Sequence, residues 1–165
     1  MCIRDRAEID ALTGLYTRRY LDRRLAFEVQ NQEEEPLSVA LLDIDHFGGV
    51  NKEHGWTTGD AVLAGVAAVL VGAVRETDWV ARYGGEEFLV CLPGAGLSEA
   101  HTVLERIRLR VSRQSHESGE GAVLRVTVSA GVIERREDET VTSLKERLSR
   151  KLLEAKRGGR NRVES

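Results

Sequence analysis

Glu86 and Glu87 are the residues whose type and placement point most directly to chemistry. They follow the glycine pair Gly84-Gly85, which separates two short apolar segments. A glycine pair in this setting predicts a two-residue β-hairpin turn, here between strands over residues 79–83 and 88–92. A strand that starts with two adjacent carboxylates is unfavourable in a protein core unless a cation or a reaction needs them. The motif therefore predicts a chemical site at the start of a strand.

A second group of carboxylates lies earlier in the chain. The apolar run 37–42 predicts a buried strand, and Asp43 and Asp45 follow it directly. If the two predicted strands are neighbours, Asp43 meets Glu86 and Glu87. Oxygen ligands of this kind suit Mg²⁺ or Mn²⁺, and Mg²⁺ usually binds one or two carboxylates together with substrate phosphates. The alternative is that these are surface carboxylates at strand ends.

Lys156 and Arg160 follow the last predicted helix of the chain. The helix dipole favours basic residues at a helix C-terminus, which is enough to explain both. They form a phosphate clamp only if this end of the helix faces the carboxylates. Arg75 and Asp78 have the spacing of a simple i,i+3 ion pair. The four histidines have no ligand spacing, and we interpret them as structural or solvent-exposed.

Helices and strands in mixed order must position these residues. Residues 18–32 carry an apolar residue at every fourth position, which predicts an amphipathic helix. Residues 61–74 predict a buried helix with Asp60 at or near its N-cap, and this run is shorter than the about 20 residues that span a membrane. Further helices are predicted over 98–111 and 144–155, and a strand over 122–133. The predicted fold class is mixed α/β in one domain.

Composition limits the classes of partner. The 165-residue chain has 41% hydrophobic and 31% charged residues and a net charge of −3, as expected of a soluble globular protein. This balance gives no argument for a nucleic acid polymer or a membrane as partner. The two cysteines lack metal-ligand spacing, so we expect a cytoplasmic protein. We interpret residues 1–9 as a leader of doubtful origin and residues 10–165 as the domain.

Several motifs in order along the chain resemble the GGDEF family of diguanylate cyclases, and the resemblance covers about residues 10–163. The motifs are Asp10-Ala11-Leu12-Thr13-Gly14-Leu15 with Arg18-Arg19, Asp43-Ile44-Asp45-His46-Phe47, Asn51, Gly59-Asp60, Gly84-Gly85-Glu86-Glu87-Phe88, and Ala155-Lys156 through Gly159-Arg160-Asn161. The resemblance implies a central, mostly antiparallel sheet wrapped by helices, as in nucleotidyl cyclases and polymerase palm domains. It also implies the condensation of two GTP molecules into cyclic di-GMP with release of pyrophosphate, in bacterial second-messenger signalling.

The resemblance also implies a role for each matching residue. Asp43 and Glu86 are expected to be catalytic, with Glu86 accepting the proton of the 3′-hydroxyl. Asp43, the backbone carbonyl of Ile44, Glu86 and Glu87 are expected to hold two Mg²⁺ or Mn²⁺ ions in each active site. The expected substrate-binding residues are Asn51, Asp60 and Phe47 for guanine, Lys156 and Arg160 for the terminal phosphates, and Gly84 and Gly85 for close backbone approach. Phosphoryl transfer depends mainly on such positioning and charge neutralisation.

Family resemblance further implies assembly and regulation. Each domain is expected to bind one GTP, so two copies must face each other across a twofold axis as a homodimer. Arg75, Asp78 and Arg106 match the family's inhibitory site, where the product cyclic di-GMP would bind as a feedback inhibitor. A sensory domain is expected upstream, and it could anchor the full-length protein in a membrane, although no membrane segment is expected in this chain.

Two departures from the family pattern lie in the predicted nucleotide site. Gly48 stands where the family usually has a phosphate-binding lysine, and losing one such charged hydrogen bond costs about 1.5 to 3 kcal/mol. Trp56 replaces a histidine near the guanine. Further departures are Lys52, Ser149 and Leu153. Gly48 and Trp56 leave open an alternative, in which the chain is a degenerate member that binds GTP or cyclic di-GMP as a receptor without turnover.

Overall fold

The computed structural model describes residues 8–32 and 34–165, which form five helices and seven strands. The helices are α1 (Arg18–Gln30), α2 (Phe47–His54), α3 (Trp56–Ala73), α4 (Leu97–Arg113) and α5 (Val141–Arg157). The strands are β1 (Leu37–Ile44), β2 (Trp79–Arg82), β3 (Glu87–Pro93), β4 (His116–Glu117), β5 (Val123–Leu124), β6 (Val128–Glu134) and β7 (Val163–Glu164). The prediction for the leader falls mainly on residues 1–7, which lie outside the described residues. Residues 8 and 9 contact the domain, since Thr17 donates its N–H to the carbonyl of Glu8 and Ile9 forms a β-bridge with Tyr16.

A five-stranded sheet in the order β2-β3-β1-β6-β7 forms the centre of the fold. Strand β1 pairs antiparallel with both β3 and β6, β2 pairs antiparallel with β3, and only β7 is parallel to its neighbour. All eight residues of β1 are buried, as its continuous apolar sequence predicts. The expected central, mostly antiparallel sheet wrapped by helices is confirmed.

Successive residues of β1 face opposite sides of the sheet, and each side has its own helices. Ala40 and Leu42 belong to a hydrophobic cluster that includes the buried residues of α3 and α4. Val39 and Leu41 belong to a second cluster, with the buried leucines of α1 and α5. The predicted amphipathic helices α1, α4 and α5 are therefore confirmed, and β1 is fixed from both sides.

Helix α3 begins one turn earlier than the sequence predicts. Gly55, with a φ of +85°, separates α2 from α3, and Trp56 is the first residue of α3. Asp60 is thus the fifth residue of the helix, and its prediction as an N-cap is wrong. The 18 residues of α3 are long and apolar enough, by length and composition alone, to cross a membrane. Eight of them are buried in the fold, and the expected absence of a membrane segment stays a prediction.

The hairpin that carries the two glutamates has a longer loop than predicted. Strand β2 ends at Arg82 and β3 begins at Glu87, so the predicted two-residue turn is wrong. The N–H groups of Tyr83 and Gly84 both donate to the carbonyl of Glu87, at 2.8 and 3.2 Å. Neither Gly84 nor Gly85 has a positive φ, whereas a two-residue type I′ turn requires one at both positions.

The strand predicted over residues 122–133 is two strands in two sheets. Strand β5 pairs with β4 in a separate ribbon, while β6 joins the central sheet beside β1. The segment before β5 contributes β4 and buries His116. Alternation of apolar residues continues across both strands, so it gives no signal for the change of partner.

Candidate active site

The register of the sheet brings the predicted carboxylates together. Asp43 on β1 lies directly opposite Glu87 on β3, and the N–H of Ile44 donates to the carbonyl of Glu86 at 3.2 Å. Asp43 is 6% exposed, whereas Glu86 and Glu87 are half-buried. Burial raises the pKa of Glu87, and the charge of Asp43 raises that pKa further. The pair therefore holds concentrated negative charge that favours a cation.

Lys156 supplies a positive charge at this position. Its Nζ donates to Oδ2 of Asp43 at 2.7 Å, which places the C-terminal turn of α5 over the carboxylates. The condition for a phosphate clamp at this helix end is met for Lys156. Arg160 is exposed and has a φ of +63°. Among the polar contacts of the described residues, none joins the Arg160 side chain to the carboxylates.

The residues present fit a divalent cation that arrives with phosphate ligands. Within residues 8–32 and 34–165, no three His, Cys, Asp or Glu side chains converge on one point. Two carboxylates do face each other, and the ammonium of Lys156 already stands as a cation beside them. Because Mg²⁺ usually takes only one or two carboxylates together with phosphate oxygens, Asp43 and Glu87 are sufficient protein donors for such an ion.

Asn51 and Gly59 form a second part of the site, where α2 meets α3. The Oδ1 of Asn51 is buried without a hydrogen-bond partner. A Cβ on Gly59 would lie 1.8 Å from this oxygen and 3.3 Å from Cζ of Phe47. Gly59 is therefore needed to make room for the amide. Phe47 is buried and supports this position from the core, while the predicted partner Asp60 is exposed.

Trp56 stands at the edge of this second part. Its side chain is 75% exposed, which is unusual for an indole ring in a folded domain. It lies four residues before Asp60 on α3 and three before Gly59, so all three share one face of the helix. An exposed aromatic ring and a carboxylate therefore share the helix face that carries Gly59, against which the unpaired oxygen of Asn51 packs.

Two arginines hold the loop between β2 and β3. Arg82 donates to the carbonyl of Gly85 at 2.9 Å and to the carboxylate of Asp10 at 3.2 Å. Arg18 donates to the carbonyl of Tyr83 at 3.0 Å and stacks on its ring, with Cζ 3.7 Å from the centroid. A Cβ on Gly85 would meet nothing within 4 Å. The fold itself thus leaves space over Gly85, as close approach by a ligand would require.

A shallow cavity of about 270 Å³ opens beside Glu87 and Lys156. Its lining includes Ser149 and Leu153, two of the positions where the sequence departs from the family. Larger cavities of about 710 and 870 Å³ lie around Gln32 and residues 34–36, beyond the opposite end of β1. Several glutamates line those cavities, and such negative charge does not suit a phosphate ligand.

Arg75, Asp78 and Arg106 also come together, at the C-terminus of α3. Oδ2 of Asp78 accepts the backbone N–H of Arg75 at 2.8 Å and lies 3.5 Å from its Nε. Arg106 donates to the carbonyl of Ala73 at 2.7 Å. The i,i+3 pair thus exists, and the guanidinium of Arg106 docks on the same helix end. Oδ1 of Asp78 is buried and has no partner among the described residues.

Asp45 has a structural role that its sequence position did not reveal. Its Oδ1 accepts the hydroxyl of Ser129 at 2.6 Å, and its Oδ2 accepts the hydroxyl of Thr127 at 2.7 Å. The backbone N–H of Asn161 also donates to Oδ2, at 3.0 Å. These contacts join β1 to β6 and to the loop after α5. No sequence signal marks donors separated from Asp45 by more than 80 residues.

Comparison with known proteins gives one consistent family. The sequence profile described as "Diguanylate cyclase, GGDEF domain" matches residues 7–162. Diguanylate cyclase DgcP of Pseudomonas aeruginosa is 40% identical over 164 residues, and the match covers 98% of this chain but 24% of DgcP. This chain therefore spans about a quarter of the length of that relative.

Solved structures agree with the sequence comparison. The GGDEF domain of DgcB from Caulobacter crescentus, crystallised in complex with c-di-GMP, matches with a TM-score of 0.93 and 39% identity. That match covers 99% of this chain and 96% of the DgcB chain. Diguanylate cyclase SiaD from Pseudomonas aeruginosa, solved in complex with its activator SiaC, matches with a TM-score of 0.87 and 40% identity. It covers 94% of this chain and 60% of the SiaD chain.

Proposed function

Because the chain belongs to the GGDEF family of diguanylate cyclases, we propose that it condenses two GTP molecules into cyclic di-GMP with release of pyrophosphate. The observation that carries this proposal is the facing pair of Asp43 and Glu87 with Lys156 beside it. The arrangement offers two acids for a divalent cation and a basic residue for phosphate. These are the protein groups that phosphoryl transfer requires.

The reaction centre is proposed to lie at the junction of β1 and β3. Asp43, the carbonyl of Ile44, Glu86 and Glu87 would hold two Mg²⁺ or Mn²⁺ ions. When bound, such ions neutralise the charge that develops on the phosphate oxygens. Glu86 would accept the proton of the attacking 3′-hydroxyl, and its position beside Ile44 supports this role. The arginine-held loop would keep both glutamates in a fixed place.

GTP is proposed to extend from Lys156 to α2 and α3. Lys156 would bind the terminal phosphates, and Arg160 would reach them from its exposed loop. Guanine presents N–H donors on one edge, which match the unpaired Oδ1 of Asn51 and the carboxylate of Asp60. Desolvated acceptors without a partner cost free energy, so a donor that pairs with Asn51 gains affinity.

Catalysis is proposed to need a homodimer. One site of this kind holds one GTP, and the 3′-hydroxyl of that GTP must reach the α-phosphate of another. A twofold arrangement of two copies brings the two nucleotides face to face. An upstream sensory domain would control this pairing in the full-length protein, and the domain described by this chain would act in the cytoplasm.

A turnover assay tests the proposal. The chain is fused to a dimeric coiled coil and incubated with GTP and Mg²⁺, and both pyrophosphate and cyclic di-GMP are measured. Glu86→Ala is expected to abolish both products while circular dichroism stays unchanged. Glu53→Ala, which removes a 76% exposed side chain on α2, is the matched control and is expected to retain activity. Folded wild-type protein that makes neither product would refute the enzyme proposal.

A second candidate function is a receptor that binds nucleotide without turnover. Gly48 and Trp56 favour it, because the first removes a phosphate-binding lysine and the second replaces a histidine near the guanine. The same incubation separates the two candidates when nucleotide binding is measured by calorimetry. A receptor gives saturable binding of GTP or cyclic di-GMP and no pyrophosphate, whereas the enzyme gives both pyrophosphate and cyclic di-GMP.

Product inhibition is proposed at Arg75, Asp78 and Arg106. The guanidinium groups of Arg75 and Arg106 lie at one end of α3, where they could hold the phosphates or bases of a cyclic dinucleotide. Calorimetry is expected to show micromolar binding of cyclic di-GMP that Arg75→Ala removes. An unchanged titration for that variant would exclude this site.

A further inference from the structure

We propose that Lys156 is a built-in counter-ion, which neutralises Asp43 until the phosphates of a nucleotide draw it away. Free divalent cations then bind weakly to the empty protein, and cation and nucleotide bind cooperatively. The inference deepens the proposed function, because it rests on a nucleotide-and-cation site at these residues. It assigns to Lys156 a role toward the cation in addition to a role toward phosphate.

The contact geometry supports an exchangeable pair. Asp43 is fixed in the central strand with a side-chain exposure of 9%, whereas the side chain of Lys156 is 32% exposed. Lys156 lies in the last turn of α5, one residue before its end, and its backbone is held there by the hydrogen bonds that close the helix. A lysine reaches its partner through a flexible stem with several rotatable bonds. The carboxylate therefore stays in place, and the ammonium is the partner that can move.

Electrostatics explains why a counter-ion is needed there. Glu87 faces Asp43 across the β1–β3 pair, and Glu86 precedes it in the loop. Arg18 also places positive charge near Glu87, but its guanidinium stacks on the ring of Tyr83. Like charges at this distance in a partly desolvated site repel each other, and one nearby ammonium offsets part of this repulsion. Without bound ligand, Lys156 therefore lowers the repulsion among these three carboxylates.

A divalent cation and the ammonium compete for the same carboxylate. Lys156 Nζ is 2.7 Å from Oδ2 of Asp43. The ammonium therefore occupies space that an ion bound to this oxygen, with its other ligands, would need. Two positive charges on Oδ2 would repel strongly, so a cation that binds this oxygen displaces the lysine. A nucleotide supplies phosphate oxygens as a new partner for the displaced ammonium. Each ligand therefore favours the other to the same extent, because coupling between binding sites is reciprocal.

The plain alternative is a structural ion pair that only fastens α5 to β1. In that case, removing the lysine charge lowers stability and leaves the affinity for cations unchanged. The two roles predict different results for the same variant. The distinguishing measurement is the affinity for Mn²⁺ alone, in the absence of any nucleotide.

The test compares Lys156→Met with Lys151→Met in the full chain. Lys151 lies on the same helix and pairs with Glu154, so its substitution gives the same change of charge away from Asp43. Mn²⁺ binding is measured by electron paramagnetic resonance without nucleotide. Lys156→Met is expected to bind Mn²⁺ about tenfold more tightly than wild type, while Lys151→Met stays within about twofold. With GTP present, the gain in Mn²⁺ affinity is expected to be large in wild type and small in Lys156→Met.

Equal or weaker Mn²⁺ binding by folded Lys156→Met would overturn the inference. If that variant does not fold by circular dichroism, Lys156→Gln and Lys156→Arg replace it. The neutral glutamine is expected to raise Mn²⁺ affinity, and the arginine, which keeps the charge, is expected not to. Since these titrations need no turnover, a wild-type chain that makes no product would refute only the proposed function. If the wild-type enzyme is active and Lys156→Met has unchanged Mn²⁺ affinity, only the counter-ion role is refuted.

Discussion

Asp43 and Asp45 stand two residues apart at the end of β1 and are almost equally buried, at 6% and 5% exposure. Their surroundings nevertheless differ completely. Asp45 accepts three hydrogen bonds from two hydroxyls and a backbone N–H. Asp43 has one charged partner, a half-buried lysine, and faces a second carboxylate. One carboxylate is fully satisfied by the fold, and the other depends on a partner that can leave.

The comparison separates structural polar groups from chemical ones. Pairing both oxygens of a buried acid with donors of the fold fixes the elements that surround it and leaves little capacity for a ligand. An acid that is only partly satisfied keeps that capacity at the expense of stability. Asn51 follows the second pattern, since its Oδ1 is buried and unpaired. The proposed nucleotide site therefore consists of groups that the fold leaves incomplete.

The largest effects are expected from exchanging each aspartate for asparagine. Asp43→Asn removes a proposed ligand of the metal, so turnover should fall by at least about a thousandfold, with little loss of stability. Asp45→Asn should lower stability by about 2 to 3 kcal/mol, because its amide cannot accept from all three donors. Turnover assays and thermal melts of both variants check this. A large loss of stability in Asp43→Asn, with none in Asp45→Asn, would show that Asp43 is the structural acid of the two.

A smaller effect on GTP binding is expected when a substitution displaces the unpaired side-chain amide of Asn51. Gly59→Ala places a Cβ where Oδ1 of Asn51 now lies, 1.8 Å away, so the amide must move. Affinity for GTP should fall by about tenfold, equivalent to one good hydrogen bond. Gly72→Ala is the control on the same helix, because its Cβ would meet nothing within 4 Å. Calorimetric titrations that give equal affinities for the two variants would remove Asn51 from the site.

Substitution of Trp56 tests whether this exposed side chain takes part in GTP binding. If the exposed ring stacks on the guanine, Trp56→Ala should weaken GTP binding by about five- to tenfold. Trp79, the only other tryptophan, is buried at 6% exposure and donates to Glu28, so nucleotide should quench mainly Trp56. Fluorescence titrations of Trp79→Phe isolate that signal. Absence of quenching at saturating GTP would show that the ring stays in solvent.

The smallest effect concerns an acid of the satisfied kind. Burial alone would raise the pKa of Glu139, but hydrogen bonds from Arg147 and the N–H of Arg136 outweigh burial and lower that pKa. Its contribution to stability is therefore present at neutral pH and is lost as the pH falls through the lowered pKa. Glu139→Gln should flatten the acid side of the stability curve. Urea unfolding of both proteins between about pH 7 and pH 3 measures this pH dependence. If the free energy of unfolding falls equally with pH in wild type and variant, Glu139 does not make this contribution.

Sequence patterns predict the elements of this fold better than their ends. Periodic apolar residues identify α1, α4 and α5, and the apolar run identifies β1, because burial on one face or on both leaves a direct pattern. The start of α3 and the length of the β2–β3 loop are mispredicted. Both depend on backbone conformation at Gly55, Gly84 and Gly85, and glycine permits nearly every conformation.

Residue types and their order determined that this chain carries two acids after a glycine pair and another acid after a buried strand. Local spacing also determined that Lys156 would lie near the end of a helix. Only the tertiary structure decided which acids meet, because the register of β1 against β3 places Asp43 opposite Glu87. It likewise decided that Lys156 contacts Asp43 across 113 positions of sequence, while Asp45 is taken up by β6. Such choices depend on contacts between distant segments, and no local pattern in the sequence records them.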